Sequence, residues 1–407
     1  MTFDVRWILG AQALRAAAYG FGSVLLGASL EARGWSAAQV GLLLAAIVAG
    51  TALMSLGVGT WGDQVGRRRS YGLLFLGMAA AGAAFGLSDS FWVLVAVGLT
   101  GTLSTEVVES GPFTSLEQPM LSAELSGHTR TRVFGIYNAV ATLVGSFGAL
   151  AAGGPALLRQ VWPALPADHR WFLLFVPLGL VGAVVAWSLS EGVEEGRTEQ
   201  GGRVPLRRSR GQVLGLSGLF ALDSFGGGFV VQSFIAYWFA LRFGTSLEVL
   251  GAIFFAVGLL QAGSFLVATR LAERVGLLPT MVFTHLPSNL LLAAIPLAPT
   301  LPGAVALLLG RFALSQMDVP TRQAYVMALV DPAERTAAAA YTNTARYLAR
   351  PLGPAAAGVA QQVALGMPFF LAGGIKAAYD LALWAWFRRV PLAEEEAASV
   401  PREGGRG

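Results

Sequence analysis

Charged side chains interrupt stretches of this 407-residue chain that are otherwise apolar, and their spacing limits the chemistry they can do. Glu106 and Glu109 lie one helical turn apart, so on a helix they share a face. Two close carboxylates in a low dielectric do not both ionise readily, so one is expected to hold a proton near neutral pH. Arg15 has Tyr19 one turn beyond it, and Asp223 is followed by Gly226, Gly227 and Gly228. That glycine run reads either as a hinge and close approach to a substrate or as tight helix packing. Arg311 is the one basic residue in its apolar run, Arg346 and Arg350 share a face, and Lys376 and Asp380 are spaced to neutralise each other. Such groups bind ions, pass protons and exchange partners. Covalent catalysis is not indicated: there is no cysteine, and His128, His169 and His285 are too scattered to hold a metal. His285 reads as a packed, hydrogen-bonded histidine. No cofactor is called for, and the chain is not expected to be an enzyme.

The surroundings of these groups are set by composition. Hydrophobic residues make up 55% of the chain and charged residues 13%, about half the ~25% of an average soluble domain. Lipid is therefore the solvent. The apolar runs are about 20 residues long, the length a helix needs to cross ~30 Å of hydrocarbon. They fall at 5–30, 38–61, 70–88, 91–112, 131–155, 171–190, 212–241, 247–268, 278–298, 301–320, 336–362 and 367–387. The first run is too long for a signal-peptide core, so no cleaved leader is expected. The net charge of +4 reflects arginines that orient a membrane protein and does not suggest nucleic acid. With both termini cytoplasmic, Arg33, Arg159, Arg170 and Arg242 are the only arginines in outer loops. The expected location is the cell (inner) membrane, multi-pass, with both ends inside.

A Gly-, Glu- and Arg-rich stretch divides six spans from six. The expected organisation is a bundle over 1–190, a cytoplasmic linker over 191–210, a second bundle over 211–390 and a tail over 391–407. The halves repeat. At an offset of 205, Asn138, Gly148 and Gly153 match Asn343, Gly353 and Gly358, and Glu117 matches Arg322. At an offset of 210, the segment from Gly59 through Asp63 to Gly66 matches the one from Thr269 through Glu273 to Gly276. Six spans per half make the repeat parallel. The expected fold is an all-α membrane protein of twelve transmembrane helices, two six-helix bundles related by a pseudo-twofold, which is a transporter architecture.

The segment Gly59, three residues, Asp63, two residues, Gly66, Arg67, Arg68 resembles the signature loop of the major facilitator superfamily, and the chain is similar to its drug/proton antiporters. That resemblance implies that spans 1, 4, 7 and 10 line a central cavity. It also implies that Gly59, Asp63, Gly66, Arg67 and Arg68, with Glu273 in the second copy, form a conformational latch. The sequence departs from the antiporter pattern in span 5, where Gly148 is followed by Ala149 and proline comes only at Pro155. It also lacks an arginine early in span 4.

Together these readings describe a monomeric secondary active transporter that moves a small organic solute by alternating access. Its partners are the solute, protons and the lipid bilayer. Arg15, Tyr19, Glu106, Glu109, Asp223 and Arg311 are the candidate substrate and proton-coupling residues, and Asp318, Arg322, Arg346 and Arg350 the candidate gate. Glu106 is expected to face Arg311 across the cavity, either alternating between a proton and that arginine or forming a permanent ion pair. The leading expectation is proton-coupled export of an amphiphile. Import of a small anion clamped by Arg15 and Arg311 is the rival, and a lipid flippase or scramblase on the same fold is a third reading.

Overall fold

The thirty residues Phe3–Ala32 form one helix, α1, which at ~1.5 Å per residue is longer than a hydrocarbon layer is thick. The computed structural model describes residues 3–106, 111–123, 127–194, 206, 208–331 and 334–390, and among them there is no strand. After α1 come α2 (Ala37–Val65), α3 (Arg67–Leu87), α4 (Phe91–Gly98), α5 (Pro112–Ala123), α6 (Gly127–Ala151), α7 (Gly154–Val161) and α8 (Phe175–Ser188). The second half holds α9 (Arg210–Gly228), α10 (Gln232–Phe243), α11 (Leu247–Val275), α12 (Leu277–Ala294), α13 (Leu301–Ser315), α14 (Asp318–Leu329), α15 (Arg335–Ala349), α16 (Leu352–Val363) and α17 (Met367–Phe387). Most of the linker and the whole tail lie outside the described residues.

Among the described residues, eight of the twelve expected spans are long and apolar enough to cross a membrane on that ground alone. The other four are spans 4 (α4 and α5), 10 (α13 and α14), 11 (α15 and α16) and 12 (α17). These four carry most of the intramembrane charges, which lower their hydropathy. Three of them are also broken.

Span 4 was expected as one helix over 91–112, and this is corrected by the structure: α4 ends at Gly98, residues 99–106 are not helical, and the next described helix starts at Pro112. The cause is local. Gly101 adopts φ +69° and sits against the Gly50 carbonyl. The hydroxyls around it bond to nearby backbone: Thr100 donates to the Val97 carbonyl, and Ser104 donates to the Glu106 carbonyl while accepting from its N–H. Serine and threonine compete with the helix in this way.

The repeat is visible in the backbone. Gly66 (φ +99°) turns the chain from α2 into α3, and Gly276 (φ +93°) makes the same turn from α11 into α12. Likewise Gly148 packs on the Ala17 carbonyl of the first span, and Gly353 on the Phe225 carbonyl and Gly228 of the seventh. Small residues let backbones approach this closely, which is how helices associate in lipid. Gly226 and Gly228 are thus packing residues, against Lys376 and Gly353, and the helix also breaks immediately after them.

At the end that holds both described termini, each half is tied to itself. Glu194 accepts from the N–H groups of Arg67 and Arg68 (2.9 and 3.0 Å), and Glu334 accepts from those of Arg208 and Ser209 (both 2.9 Å). A carboxylate at a helix N-terminus satisfies donors that have no partner within the helix. Contacts between the halves concentrate towards the opposite end. There Gly27 packs on Ser233 and Ala236, Gly41 on Pro354 and Gly358, and Gly251 on Ala149. Ser233 also donates through its N–H and its hydroxyl to the Thr105 carbonyl (both 3.1 Å). The two halves pack closely against each other at that end.

Candidate functional site

The intramembrane charges sort into two groups, one within the N-terminal half and one around a cavity built mainly from the C-terminal half. In the N-terminal half, Arg15 on α1 reaches Glu117 on α5 (Nη2 to Oε2, 2.7 Å). Glu117 is fully buried and also accepts from the hydroxyls of Tyr71 (2.7 Å) and Tyr137 (2.5 Å). The Arg15 guanidinium lies over the rings of Phe113 and Tyr19, and the Tyr19 hydroxyl donates to the Thr102 carbonyl. Neither Arg15 nor Tyr19 lines the central cavity. The structure places them in an internal network of the N-terminal half, centred on Glu117, a residue that was not among the candidates. The only signal for Glu117 was its alignment with Arg322.

The second group surrounds a cavity of about 300 Å³. Lys376 on α17 pairs with Asp223 on α9, with its Nζ against Oδ1. Arg322 on α14 lies 3.4 Å from the other Asp223 oxygen and 2.8 Å from Asp318. His285 on α12 places Nδ1 2.8 Å from Asp380 Oδ1, and Asn289 donates to Asp380 Oδ2 (2.8 Å). The expected neutralisation of Lys376 by Asp380 is thus overturned. Although one turn apart on α17, they find partners on other helices, because α17 packs on both α12 and α9.

Glu106 and Arg311 line the same cavity, but Glu106 forms its ion pair with Arg350 (2.5 Å). Arg350 occupies the joint between α15 and α16, so this pair crosses from one half to the other. Glu109 lies outside the described residues, and Glu106 itself is not helical, so the expected shared carboxylate face is not seen. Arg311 is only 8% exposed. Its Nε and Nη1 have no hydrogen-bond partner, and no carboxylate lies within salt-bridge distance among the described residues. Its one cationic contact is with the Phe312 ring, 4.4 Å from the centroid. Ser315 Oγ, one turn on, and Arg346 Nε also lack partners. The charged lining comprises Arg311, Arg322, Arg346, Arg350 and Lys376 against Glu106, Asp223 and Asp318. Cations exceed carboxylates by two, without counting His285.

The sequence profile of the Major Facilitator Superfamily matches residues 8–354. The chain belongs to this superfamily. A Saccharomyces cerevisiae protein described as an uncharacterized membrane protein is 26% identical, with 94% of each chain covered. Among solved structures, the fold is similar to the nucleoside transporter NupG (TM-score 0.75, 12% identity, covering 94% of this chain and 99% of that one). It is also similar to a bacterial homologue of the human lysosomal transporter Spinster in an inward-facing, occupied conformation (TM-score 0.70, 17% identity, 94% of each).

Within this superfamily member, the signature loop spans α2 and α3. The Asp63 side chain lies outside the described residues. The two arginines that follow Gly66 bind their own half: Arg67 Nη1 donates to the Val193 carbonyl and Arg68 Nη2 to the Trp187 carbonyl. Gly59 is exposed on α2, and Glu273 is exposed near the end of α11.

Proposed function

We propose that this superfamily member is a secondary active transporter of a small organic anion, working by alternating access of its two halves. Arg311 carries the reading. A buried ion without a counter-ion costs several kcal/mol, and a guanidinium is shaped to receive a carboxylate or phosphate through two parallel hydrogen bonds. An anion arriving in the cavity supplies the missing partner for Arg311, with Ser315 and Arg346 as further unpaired donors. Glu106 and Arg350 act as a gate, the ion pair that holds the halves together in the state sealed opposite the termini. Asp318 and Arg322 steady the wall beside them, and Asp63 with Gly66 serves as the latch at the terminal end. This reading keeps both termini cytoplasmic, in a cell membrane.

Proton-coupled export of an amphiphilic compound is the second reading. The apolar, tryptophan-flanked spans favour it, and the positive cavity does not. Thermal unfolding of the purified protein with di- and monocarboxylates, phosphate esters, lipophilic cations and sugars separates the two. Stabilisation follows RT ln(1 + [L]/Kd), about 2.7 kcal/mol at ~100 Kd. The expected result is protection by an anion, lost in Arg311→Gln. Protection by lipophilic cations alone would replace this reading with the second.

A further inference from the structure

Three of the five cations around the central cavity already have a carboxylate. Lys376 is held by Asp223, Arg322 lies 2.8 Å from Asp318, and Arg350 lies 2.5 Å from Glu106. These pairs use every described carboxylate of the lining. The excess of two positive charges is therefore not spread over the cavity. It sits on Arg311 and Arg346. Among the described residues neither forms an ion pair, and each has a buried Nε without an acceptor.

The two guanidiniums enter from different walls. Arg311 stands on α13, which packs on α11 and α12, whereas Arg346 stands on α15, which packs on α9 and α14. On the Arg311 side the Ser315 hydroxyl, one turn along α13, is a second buried donor without a partner. A compact anion on one of these sites leaves the other cation unmatched, and a buried charge without a counter-charge is costly. A solute with an acidic group at each end satisfies both. The rest of the wall suits what lies between such groups: Val230, Phe265 and Val319 accept a carbon chain, and the Gln261 amide a polar substituent on it. At about 300 Å³ the cavity is at the small end for ligand sites, so that chain is short.

We propose that the solute is a divalent organic anion with two separated acidic groups, a short-chain dicarboxylate, with one end on Arg311 and Ser315 and the other on Arg346. This rests on the anion reading above and narrows it. Each end gains a charge-assisted, two-point contact with a planar guanidinium. Lys376, Arg322 and Arg350 stay with their own carboxylates, because a solute that displaced them would leave Asp223, Asp318 or Glu106 unpaired in turn. Selection is by charge count: a monocarboxylate of the same length leaves one guanidinium unmatched.

The test compares succinate with monomethyl succinate, which has the same chain and one charge fewer at pH 8, by calorimetry on the full-length protein in detergent. A hydrogen bond to a charged group is worth about tenfold to a hundredfold in affinity, so succinate should bind about tenfold or more tightly than its monoester. This comparison needs no variant. In Arg311→Gln and in Arg346→Gln the preference should vanish, and Arg346→Lys should retain part of it. From malonate to adipate, affinity should peak at one chain length, since different helices hold the two guanidiniums. Equal affinity for succinate and its monoester, both lost in Arg311→Gln, overturns the dianion and leaves the anion reading standing. Tighter binding of glycerol 3-phosphate than of every dicarboxylate overturns the separation of the two charges. Binding of none of these anions overturns the anion reading as well. Glu109 lies outside the described residues, so Glu109→Gln completes the set. Unchanged succinate affinity there supports the charge count, and a gain of about tenfold overturns it, because Glu109 would then already hold one of the two guanidiniums.

Discussion

Glu117 and Arg322 stand 205 positions apart, the offset of the internal repeat, and each pairs with the first span of its own half: Glu117 with Arg15, Arg322 with Asp223. The two pairs carry their charges in opposite order. They also differ in completeness. Glu117 is enclosed by Arg15, Tyr71 and Tyr137, with no opening to the cavity. Asp223 is shared among Arg322, Lys376 and His285, and it faces the cavity. We read the N-terminal pair as a scaffold and the C-terminal pair as one placed to exchange partners.

The scaffold role predicts a large stability effect. Glu117→Gln leaves the Arg15 guanidinium buried without a counter-charge and should cost about 3–5 kcal/mol. The double variant Arg15→Leu, Glu117→Leu removes both charges and should recover most of that loss. Thermal unfolding in detergent measures both; a double variant no better than the single would mean that the tyrosines, not charge balance, hold the network.

The same contrast separates the two arginines once expected to clamp an anion together. Arg311→Gln should abolish protection by anions with little change in the unliganded unfolding temperature. Arg15→Gln should lower that temperature while leaving anion protection in whatever folded protein remains. Ligand-dependent unfolding of the two variants, side by side, decides this.

Glu106→Gln removes one partner of the pair that crosses the halves. Both side chains are about a quarter exposed, so the pair contributes on the order of 1 kcal/mol, or ~5-fold in the balance between conformations. The chain has no cysteine, so a single Ser29→Cys, on the wall of a second cavity at the end opposite the termini, reports changes in access there. Labelling of that cysteine should quicken several-fold in Glu106→Gln. An unchanged rate would remove the gate assignment.

The turns at the terminal end predict matched effects in the two halves. Gly66→Ala and Gly276→Ala each force a side chain into positive φ and should destabilise by about 1–3 kcal/mol. Glu194→Gln weakens the cap at the start of α3 and should cost about 1 kcal/mol. Unfolding midpoints check all three, and a neutral Gly276→Ala would show that the second turn relaxes where the first does not.

Much of this was legible beforehand because lipid imposes strong rules on sequence. Apolar runs mark helices, since a backbone in hydrocarbon must satisfy its own hydrogen bonds. The positions of Gly66 and Gly276 in matching loops gave the repeat, and both proved to be turns only glycine makes readily. The break in span 4 was harder to see. Its apolar residues suited a helix, and it was the local bonding of Thr100 and Ser104 together with the close packing of Gly101 that unwound it.

Pairing among the charges was beyond reach of the chain alone. Sequence spacing names neighbours on one helix, so Lys376 and Asp380 looked like partners and Glu106 looked opposite Arg311. Which faces meet is settled by packing between helices: Arg15 finds Glu117 102 residues away, and Lys376 finds Asp223 153 residues away. The sequence by itself determined a membrane-embedded, twice-repeated helical bundle and which residues would be costly inside it. Only the tertiary structure decided which of those charges pair with one another, and which, such as Arg311 and Arg346, line the cavity with polar atoms left without partners among the described residues.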